Sequence, residues 1–429
     1  MKKYIFIITL LAGILNANAQ QNVELQQLIN ESFTFNPKLK EIQQNELIAQ
    51  QRIAVTKSNQ MPNVSGLVSY NYVDPVGQAT FPVGPGVMRN LQFQPNNNFN
   101  ANITANYILL DFGRLKSAVE KSKEDLNLSK QNTEYNKQIL ASQVAGIYYY
   151  IVYLKKAVNI QDSVINYYKQ NKEIIQSKLN NGDALKVDLF NIEASIDNEQ
   201  NRKVDLQNLL QKQLNLLEFT TGKSMVQLSQ FDFVIKNGSV DDYIKLAENQ
   251  NSEYALVKTR ITQAQLDVKY NKRQLTPTLN ATASAGFRNG YQPDIFENRF
   301  NYLAGLSFNV PIYTGGKNKS QIEVAQQMLK QTEYSMQSLN NLYRKDIKQA
   351  ITDVESNNER LKNAESQIKS ATEVLSLTQS RYRNGVATYL DITYAANGIQ
   401  RAALNKLQFE YQLCMAKIEL AKLTGEKYW

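Results

Sequence analysis

Four short segments of the chain alternate apolar and uncharged polar residues with a period of two. The clearest is FNANITANY at residues 99–107, in which every second residue is Asn or Thr. Residues 279–287 and 302–310 alternate in the same way, and residues 64–72 do so more loosely. Because successive side chains of a strand point to opposite faces, the pattern predicts β-strands with one apolar face and one uncharged polar face. We expect these strands at about 63–73, 98–109, 278–288 and 301–312.

Long stretches without proline predict long helices between the strands and after them. All prolines lie at or before Pro95 or between Pro277 and Pro311, and proline is the residue that helix interiors exclude most strongly. Residues 114–180 contain Gly146 as their only glycine, so a single helix there would extend about 100 Å at about 1.5 Å per residue. Apolar residues recur near a spacing of about 3.5 residues at 185–217 and again at 404–421, which predicts coiled-coil packing of helix pairs.

The chain is a tandem duplication. An offset of 203 positions aligns Gly182 with Gly385, Asp188 with Asp391 and Gly222 with Gly425, and upstream an offset of 215 aligns Pro62 with Pro277. Each copy therefore predicts a helix, a strand, a loop, a strand, a long helix, a tight turn and a second long helix. We expect a first repeat at 20–222, a linker at 223–240 and a second repeat at 241–429, with tip turns at about 180–184 and 383–387. The first copy has about 12 extra residues in the Pro-, Gly- and Asn-rich stretch 74–98, which predicts a long exposed loop.

The strand faces can be interpreted in two ways. Alternation alone fits a soluble antiparallel sheet as well as a membrane strand. However, the polar rows carry no charge, aromatic residues stand at strand ends, and nine residues span about 30 Å, enough for a tilted membrane crossing. These features favour a lipid-facing apolar row, for which we select Phe99, Ile103, Tyr107, Leu279, Phe287, Tyr302, Leu306 and Phe308.

Four strands cannot close a barrel, and an open sheet edge in lipid leaves backbone groups without partners at several kcal/mol each. A membrane sheet of this size must therefore oligomerise. Two copies would supply eight strands and three would supply twelve, and the pattern does not choose between these numbers.

The N-terminal residues predict export from the cytoplasm. Residues 1–19 combine two lysines, an apolar stretch and a small-x-small sequence at Ala17–Ala19, as a secretory signal peptide does. We expect the mature chain to begin at Gln20 and not to be a lipoprotein, because no cysteine follows the predicted cut. The only cysteine, Cys414, is interpreted as a coiled-coil seam residue.

Composition argues against catalysis and nucleic-acid binding. The formal net charge of +9 is spread among acidic and amide residues rather than collected in blocks, which indicates solvated helix faces. The chain has no histidine, the commonest metal ligand and general base, and it shows no Gly-rich phosphate loop. Asp111–Phe112–Gly113 spells a kinase metal motif but aligns with a strand-to-helix turn in the second copy. We expect no enzyme activity, no cofactor, no metal site and no nucleic-acid partner.

The order of elements, the duplication and four short motifs resemble the TolC family of bacterial outer-membrane efflux proteins. The motifs are the turns KLNNGDALKVDL (178–189) and RYRNGVATYLDI (381–392), the strand-to-helix segment PIYTGGKNKSQIEVA (311–325) and LTG at 423–425. The resemblance covers the whole mature chain. It implies an α+β homotrimer with a twelve-stranded β-barrel in outer-membrane lipid and a long periplasmic tunnel of helices. It also implies a periplasmic adaptor and an inner-membrane pump or secretion transporter as partners.

The resemblance further implies roles for residues at the helix tips. Asp391 matches an acidic position that rings the periplasmic aperture, and Asp188 with Tyr382 matches a Tyr–Asp latch. Two departures are that Ala387 replaces a latch arginine and that Tyr394 replaces a second ring acid. Adaptors dock at these turns in the family, so the candidate contacts are Lys178, Asn181, Gly182, Arg381, Asn384 and Gly385.

Simpler interpretations remain open at this point. Asp188 and Asp391 also fit helix N-terminal acids that the helix dipole favours, and the turn residues also fit solvated turns. A soluble periplasmic coiled-coil scaffold would explain the helices but not four charge-free strands. A periplasmic adaptor usually has one helical hairpin, whereas this chain predicts two. The transported substrate cannot be derived from the sequence.

Overall fold

The structure, a computed structural model, describes residues 22–227, 230–231, 233–235 and 238–429. The predicted signal peptide, 1–19, and the predicted mature N-terminus at Gln20 lie outside the described residues. The elements are, in chain order, α1 (Val23–Phe35), α2 (Pro37–Ser58), β1 (Asn63–Tyr72), β2 (Gln78–Gly84), β3 (Val87–Gln92), β4 (Asn97–Leu110), α3 (Arg114–Asn180), α4 (Lys186–Thr221), α5 (Val240–Gln250), α6 (Ser252–Arg273), β5 (Thr278–Arg288), β6 (Arg299–Asn309), α7 (Lys317–Arg383) and α8 (Tyr389–Thr424).

The predicted α+β architecture with long helices and a four-stranded sheet is confirmed. α3 and α7 each contain 67 residues, and α4 and α8 each contain 36, so corresponding helices of the two repeats have equal lengths. Contacts along the chain divide it into two compact units. The first contains the described residues up to 41 and those of 133–255 and 338–429, and the second contains 42–132 and 256–337.

The second unit contains an antiparallel sheet with the strand order β1-β4-β5-β6. Strands from the two repeats are joined at its centre, where Ile103 of β4 pairs with Ala285 of β5. β1 and β6 form the two edges. In β4 the apolar row, with Phe99 and Ile103, is more exposed than the polar row of Asn98, Asn100 and Asn102. The alternation therefore places apolar side chains on the open face and amides on the more covered face.

A glycine is required at one position of β5, on the polar face of the sheet next to Asn102 of β4. Gly286 pairs with Asn102, and a Cβ at this position would lie 2.1 Å from the carbonyl oxygen of Ala101 and 2.3 Å from Oδ1 of Asn102. Any larger residue would collide with backbone. The polar face of the sheet is therefore close-packed at this point.

Two predictions from the sequence were incomplete. The stretch 74–98 is not simply a loop, because β2 and β3 pair within it as a hairpin whose turn contains Gly86 at φ 78°. The single helix expected before the first strand is two helices, α1 and α2. They separate because Asn36, which precedes Pro37, adopts an extended conformation, as residues before proline prefer.

The first unit is built around a helical core. α1, α3, α4 and α8 supply its buried side chains, among them Ile29, Tyr148, Tyr149, Leu217 and Cys414. Cys414 is 3 % exposed and packs among aliphatic neighbours, which agrees with its interpretation as a seam residue. None of the helices among residues 22–227 and 238–429 is long and apolar enough to cross a membrane.

A Thr–Gly pair stands at the end of α4 and again at the end of α8. In each repeat the glycine packs against the break between the first two helices of that repeat. Gly222 and Gly425 both adopt positive φ, 78° and 77°. A Cβ on Gly222 would lie 2.9 Å from the ring of Phe35, and one on Gly425 would lie 2.5 Å from the backbone nitrogen of Asn251. The Asn251 side chain donates hydrogen bonds to the carbonyls of Lys422 and Leu423 at 3.0 and 3.1 Å, so it caps α8 from outside.

We predict that Gly425→Ala lowers the free energy of unfolding by about 2–4 kcal/mol, because a left-handed backbone and a backbone collision both oppose a Cβ there. The control is Gly398→Ala within α8, where a Cβ meets nothing within 4 Å. It is expected to be neutral or stabilising. Denaturant unfolding in detergent, followed by the helical circular dichroism signal, measures both. Equal effects of the two variants would contradict the prediction.

Candidate functional site

The two helical hairpins end in tips of the same construction. After α3, the N–H of Asp183 donates to the carbonyl of Lys178 at 2.8 Å, and after α7 the N–H of Val386 donates to that of Arg381 at 2.9 Å. Gly182 and Gly385 adopt φ of 85° and 75°. This is the Schellman arrangement, in which a residue in left-handed conformation lets the last carbonyls of a helix find partners. Asn181, Arg381 and Asn384 are exposed around these turns.

Asp391 occupies the N-terminal cap of α8. Its Oδ2 accepts hydrogen bonds from the backbone N–H and the hydroxyl of Thr388, both at 2.8 Å, and its own N–H donates to the Thr388 hydroxyl at 3.3 Å. These bonds, together with the charge of Arg381, lower the pKa of Asp391. The folded state therefore favours the carboxylate, and the contribution of this cap to stability is lost as the pH falls through the lowered pKa. The carboxylate itself is solvent-exposed.

Asp188 occupies the corresponding position in α4 with a simpler cap. Its Oδ2 accepts one hydrogen bond, 3.3 Å from the backbone N–H of Leu185. Leu185 stands where the second repeat has Thr388 and has no hydroxyl to contribute. Asp188 is half-buried, whereas Asp391 is exposed. The two acids are thus equivalent in position but differ in environment.

Tyr382 at the end of α7 is enclosed by the other hairpin. It packs against a cluster that includes Tyr168, Ile175 and Ile192, and the Nζ of Lys178 lies 4.0 Å from its ring centroid. Burial and the nearby charge of Asp188 raise the pKa of Tyr382. Within the described part of the chain no hydrogen bond joins Asp188 to Tyr382, so a cation–π contact rather than a carboxylate hydrogen bond holds this ring. Ala387 has no polar side-chain atom, and Tyr394 is 80 % exposed.

Two further hydrogen bonds join the hairpins farther along the helices from the tips. The Tyr168 hydroxyl lies 2.7 Å from Oδ1 of Asn397 on α8, and Nε2 of Gln379 on α7 donates to the Tyr167 hydroxyl at 3.2 Å. Burial is the main cause that raises the pKa of both Tyr168 and Tyr389 to about 12. Both hydroxyls are therefore protonated at physiological pH, and that of Tyr168 donates to Asn397.

A buried polar network links α3, α4 and α8 farther along the hairpins. Glu199 is 5 % exposed. Its Oε2 accepts from Nε2 of Gln161 at 2.5 Å and from Nε2 of Gln400 at 2.8 Å, and its Oε1 accepts from Arg202 at 2.7 Å. The duplication places Ala364 and Ala402 where the first repeat has Gln161 and Glu199, and both alanines are buried. The second hairpin therefore has no counterpart of the Gln161–Glu199 pair and contributes Gln400 to the network of the first.

Sequence reasoning did not identify this network. Glu199 interrupts the apolar spacing of α4, and a charged residue at a seam position is the signal that would have drawn attention to it. Lys178 was selected as a docking residue, but its contact with Tyr382 was not expected.

The selected strand residues all lie in the four-stranded sheet. Seven of them are exposed and Leu279 is half-buried. The selected sites thus fall into two groups, the hairpin tips in the first unit and the strand row in the second. Among the described residues no group of three or more His, Cys, Asp or Glu side chains could hold a metal ion.

Comparison with known proteins finds one family. Residues 28–223 and 243–426 match the model of the outer membrane efflux protein family. BepC, an outer membrane efflux protein of Brucella suis, is 20 % identical over 442 residues, covering 99 % of this chain and 90 % of BepC. The outer membrane protein TolC of Salmonella enteritidis is 22 % identical over 445 residues, covering 96 % of this chain and 86 % of TolC.

Solved structures share the fold. The outer membrane protein VceC of Vibrio cholerae superposes with a TM-score of 0.76 at 15 % identity, covering 95 % of this chain and 97 % of VceC. CusC, whose structures describe transmembrane channel formation, superposes with a TM-score of 0.78 at 16 % identity, covering 94 % of this chain and 92 % of CusC. At this identity the likeness demonstrates the fold.

We predict that Glu199→Ala lowers the free energy of unfolding by about 2–4 kcal/mol, because the buried amides of Gln161 and Gln400 lose their carboxylate acceptor and keep only the Glu199 carbonyl at 2.9 Å and Oε1 of Gln161 at 3.4 Å. The matched control is Glu193→Ala on the same helix. Glu193 forms a 2.8 Å salt bridge with Lys172, and both side chains are 40 % exposed, so its loss should cost no more than about 1 kcal/mol. Denaturant unfolding of the whole protein in detergent compares them, and equal losses would show that the buried network does not hold α8.

Proposed function

Because the chain belongs to the outer membrane efflux protein family, we propose that it is the outer-membrane exit duct of a tripartite efflux system or a type I secretion system. Three protomers form the duct, and solutes pass through it without energy input from this protein. The observation that carries the proposal is the combination, in one chain, of two equal helical hairpins and a four-stranded sheet with an exposed apolar row, in which the charged residues are Arg288 and Arg299, paired at one end of β5 and β6.

The sheet supplies the membrane-spanning part. An apolar row that includes Tyr302, Leu306 and Phe308, all at least 60 % exposed in the single protomer, suits contact with lipid. The unpaired edges of β1 and β6 suit pairing with neighbouring protomers, since a sheet edge cannot remain open in hydrocarbon. Three copies give a closed barrel of twelve strands, an even number of the kind such barrels have. The polar row of the sheet, which includes Asn98, Asn100 and Asn102, then lines the lumen.

The hairpin tips form the periplasmic aperture. Three copies of Asp391 ring the axis as exposed carboxylates, which the Thr388 cap keeps ionised. Tyr382, enclosed by Lys178 and the apolar cluster of the first hairpin, latches α7 against α3 and α4. The charge of Asp188 helps to raise the pKa of Tyr382 and so favours its protonated hydroxyl. Opening the aperture requires this contact and the interhairpin hydrogen bonds above it to separate.

The partners follow from the same assignment. A periplasmic adaptor docks on the exposed turns through Lys178, Asn181, Gly182, Arg381, Asn384 and Gly385, and connects the duct to an inner-membrane pump that supplies the energy. The protein reaches the outer membrane through cleavage of the signal peptide 1–19 and is not lipidated. The duct carries out no chemical reaction.

We predict that the purified protein conducts ions across planar lipid bilayers and that Tyr382→Ala raises its conductance several-fold. The substitution removes both the ring under Lys178 and its packing, so the closed tip loses its latch. The matched control is Tyr334→Ala on the same helix. Tyr334 also has a lysine over its ring, Lys330 at 5.8 Å, but is 57 % exposed.

Single-channel recording distinguishes the parts of the proposal. Conductance that rises in Tyr382→Ala and stays unchanged in Tyr334→Ala supports the latch. A conducting protein in which both variants behave like wild type contradicts the latch but not the duct. A folded protein that never conducts contradicts the duct itself.

A further inference from the structure

A polar pocket of about 420 Å³ lies within the second unit, where its helices meet its sheet. The ends of α6 and β6 and the starts of α3, α7 and β5 form its walls. Its lining includes Arg114, Tyr270, Gln274, Thr278, Asn309 and Lys317. Two of the lining side chains are cations and none is a carboxylate, so the pocket combines positive charge with neutral amide and hydroxyl groups that can donate or accept hydrogen bonds.

The two cations are equivalent in the duplication. Arg114 is the first residue of α3 and Lys317 is the first residue of α7, at the same offset of 203 that aligns the hairpin tips. The two repeats therefore direct corresponding positive residues to one pocket.

Neither cation is neutralised by the protein. In the described part of the chain, neither Arg114 nor Lys317 has a salt bridge or a side-chain hydrogen bond. The acid closest to Arg114 along the chain, Asp111, uses its oxygens to accept from the N–H groups of Gly113 and Leu115 at 3.0 and 2.6 Å. In the same pocket wall, Nε2 of Gln274 is buried without a hydrogen-bond partner. Arg114 is half-buried and Lys317 is exposed, so both positive charges are accessible and have no counter-ion within the described chain.

The pocket lies on the polar face of the sheet. Thr278 and Asn309 pair with each other across β5 and β6, and the adjacent pair, Leu279 and Phe308, belongs to the apolar row on the opposite face. In the proposed duct the polar face lines the lumen, so the pocket opens to the solute path rather than to lipid.

We propose that this pocket binds the anionic group, phosphate or carboxylate, of solutes that pass along the lumen. Arginine and lysine with neutral amide and hydroxyl donors are the groups that recognise such oxyanions. The inference rests on the proposed duct and adds a preference for anion-bearing cargo at a defined place. The solute path then has negative charge at the tips, from the Asp391 carboxylates, and positive charge at the pocket beside the sheet, from Arg114 and Lys317.

The test uses inorganic phosphate as the probe on the whole channel in bilayers of phosphatidylcholine alone. Phosphate replaces chloride at constant ionic strength while conductance is recorded. Wild type is expected to show a saturable fall in conductance. Arg114→Gln with Lys317→Gln is expected to raise the midpoint concentration at least about tenfold, because both charge-assisted contacts are lost.

The matched control is Lys116→Gln with Lys319→Gln. These lysines are two residues farther along the same helices, are also equivalent in the duplication and are exposed outside the pocket. The control removes the same charge and is expected to leave the midpoint within about twofold. Equal shifts in both double variants would show a general charge effect and overturn the pocket.

The remaining outcomes separate this inference from the function on which it depends. A conducting wild type that phosphate does not affect overturns the anion site while the duct stands. Absence of conductance overturns both. Repeating the titration with phosphatidylglycerol in the bilayer is expected to change nothing. If that lipid abolishes the phosphate effect, a lipid headgroup occupies the pocket and the assignment to a passing solute is wrong.

Discussion

An open β-sheet edge cannot remain in lipid, and the rest of this protein's organisation depends on that constraint. The protomer supplies four strands whose outer members, β1 and β6, have no partner on one side. Their apolar row is exposed, and their polar row carries charge only at the Arg288–Arg299 pair at one end, so the sheet suits neither bulk water nor the interior of a single domain. The chain obtains a complete sheet only by adding copies of itself. Oligomerisation is therefore a requirement of the strand chemistry rather than an addition to a finished fold.

In the proposed duct the helices must close one end without sealing it permanently. Side chains at the ends of the hairpins combine an apolar cluster with polar contacts such as Lys178 over Tyr382 and Tyr168 with Asn397. Farther along, Glu199 accepts from glutamines on two other helices. Buried polar contacts of this kind specify one alignment of helices but gain little net energy over water. They suit a contact that must form in one register and also separate, whereas the second hairpin has buried alanines at the equivalent positions.

Much of this fold was accessible from the sequence because its signals are local and repeated. The period of two in FNANITANY, the absence of proline across 114–180 and the glycines at the tips each act within a few residues, and the duplication presents each signal twice. The hairpin β2–β3 was not predicted, because Pro82, Gly84 and Gly86 mask the alternation in a stretch whose composition suggests a loop.

The candidate site was accessible only in part. The caps at Asp188 and Asp391 follow from spacing to their own turns, which is local information. Glu199 and Gln400 are 201 positions apart, and their meeting depends on how three helices pack. The same holds for Arg114, Tyr270 and Lys317, which come from different helices. Such groupings arise from tertiary structure, and no spacing rule within one segment encodes them.

The most direct test of the trimeric barrel is to cross-link its two sheet edges between protomers. In a Cys414→Ser background, Ser69→Cys in β1 is combined in turn with Asn301→Cys, Gly305→Cys or Ser307→Cys in β6, and oxidised membranes are analysed on a denaturing gel without reductant. The account predicts a covalent species of three protomer masses for at least one pair, and none for Ser65→Cys with Ser69→Cys on the same strand. Only monomers, or a ladder that stops at dimers with every pair, would contradict it.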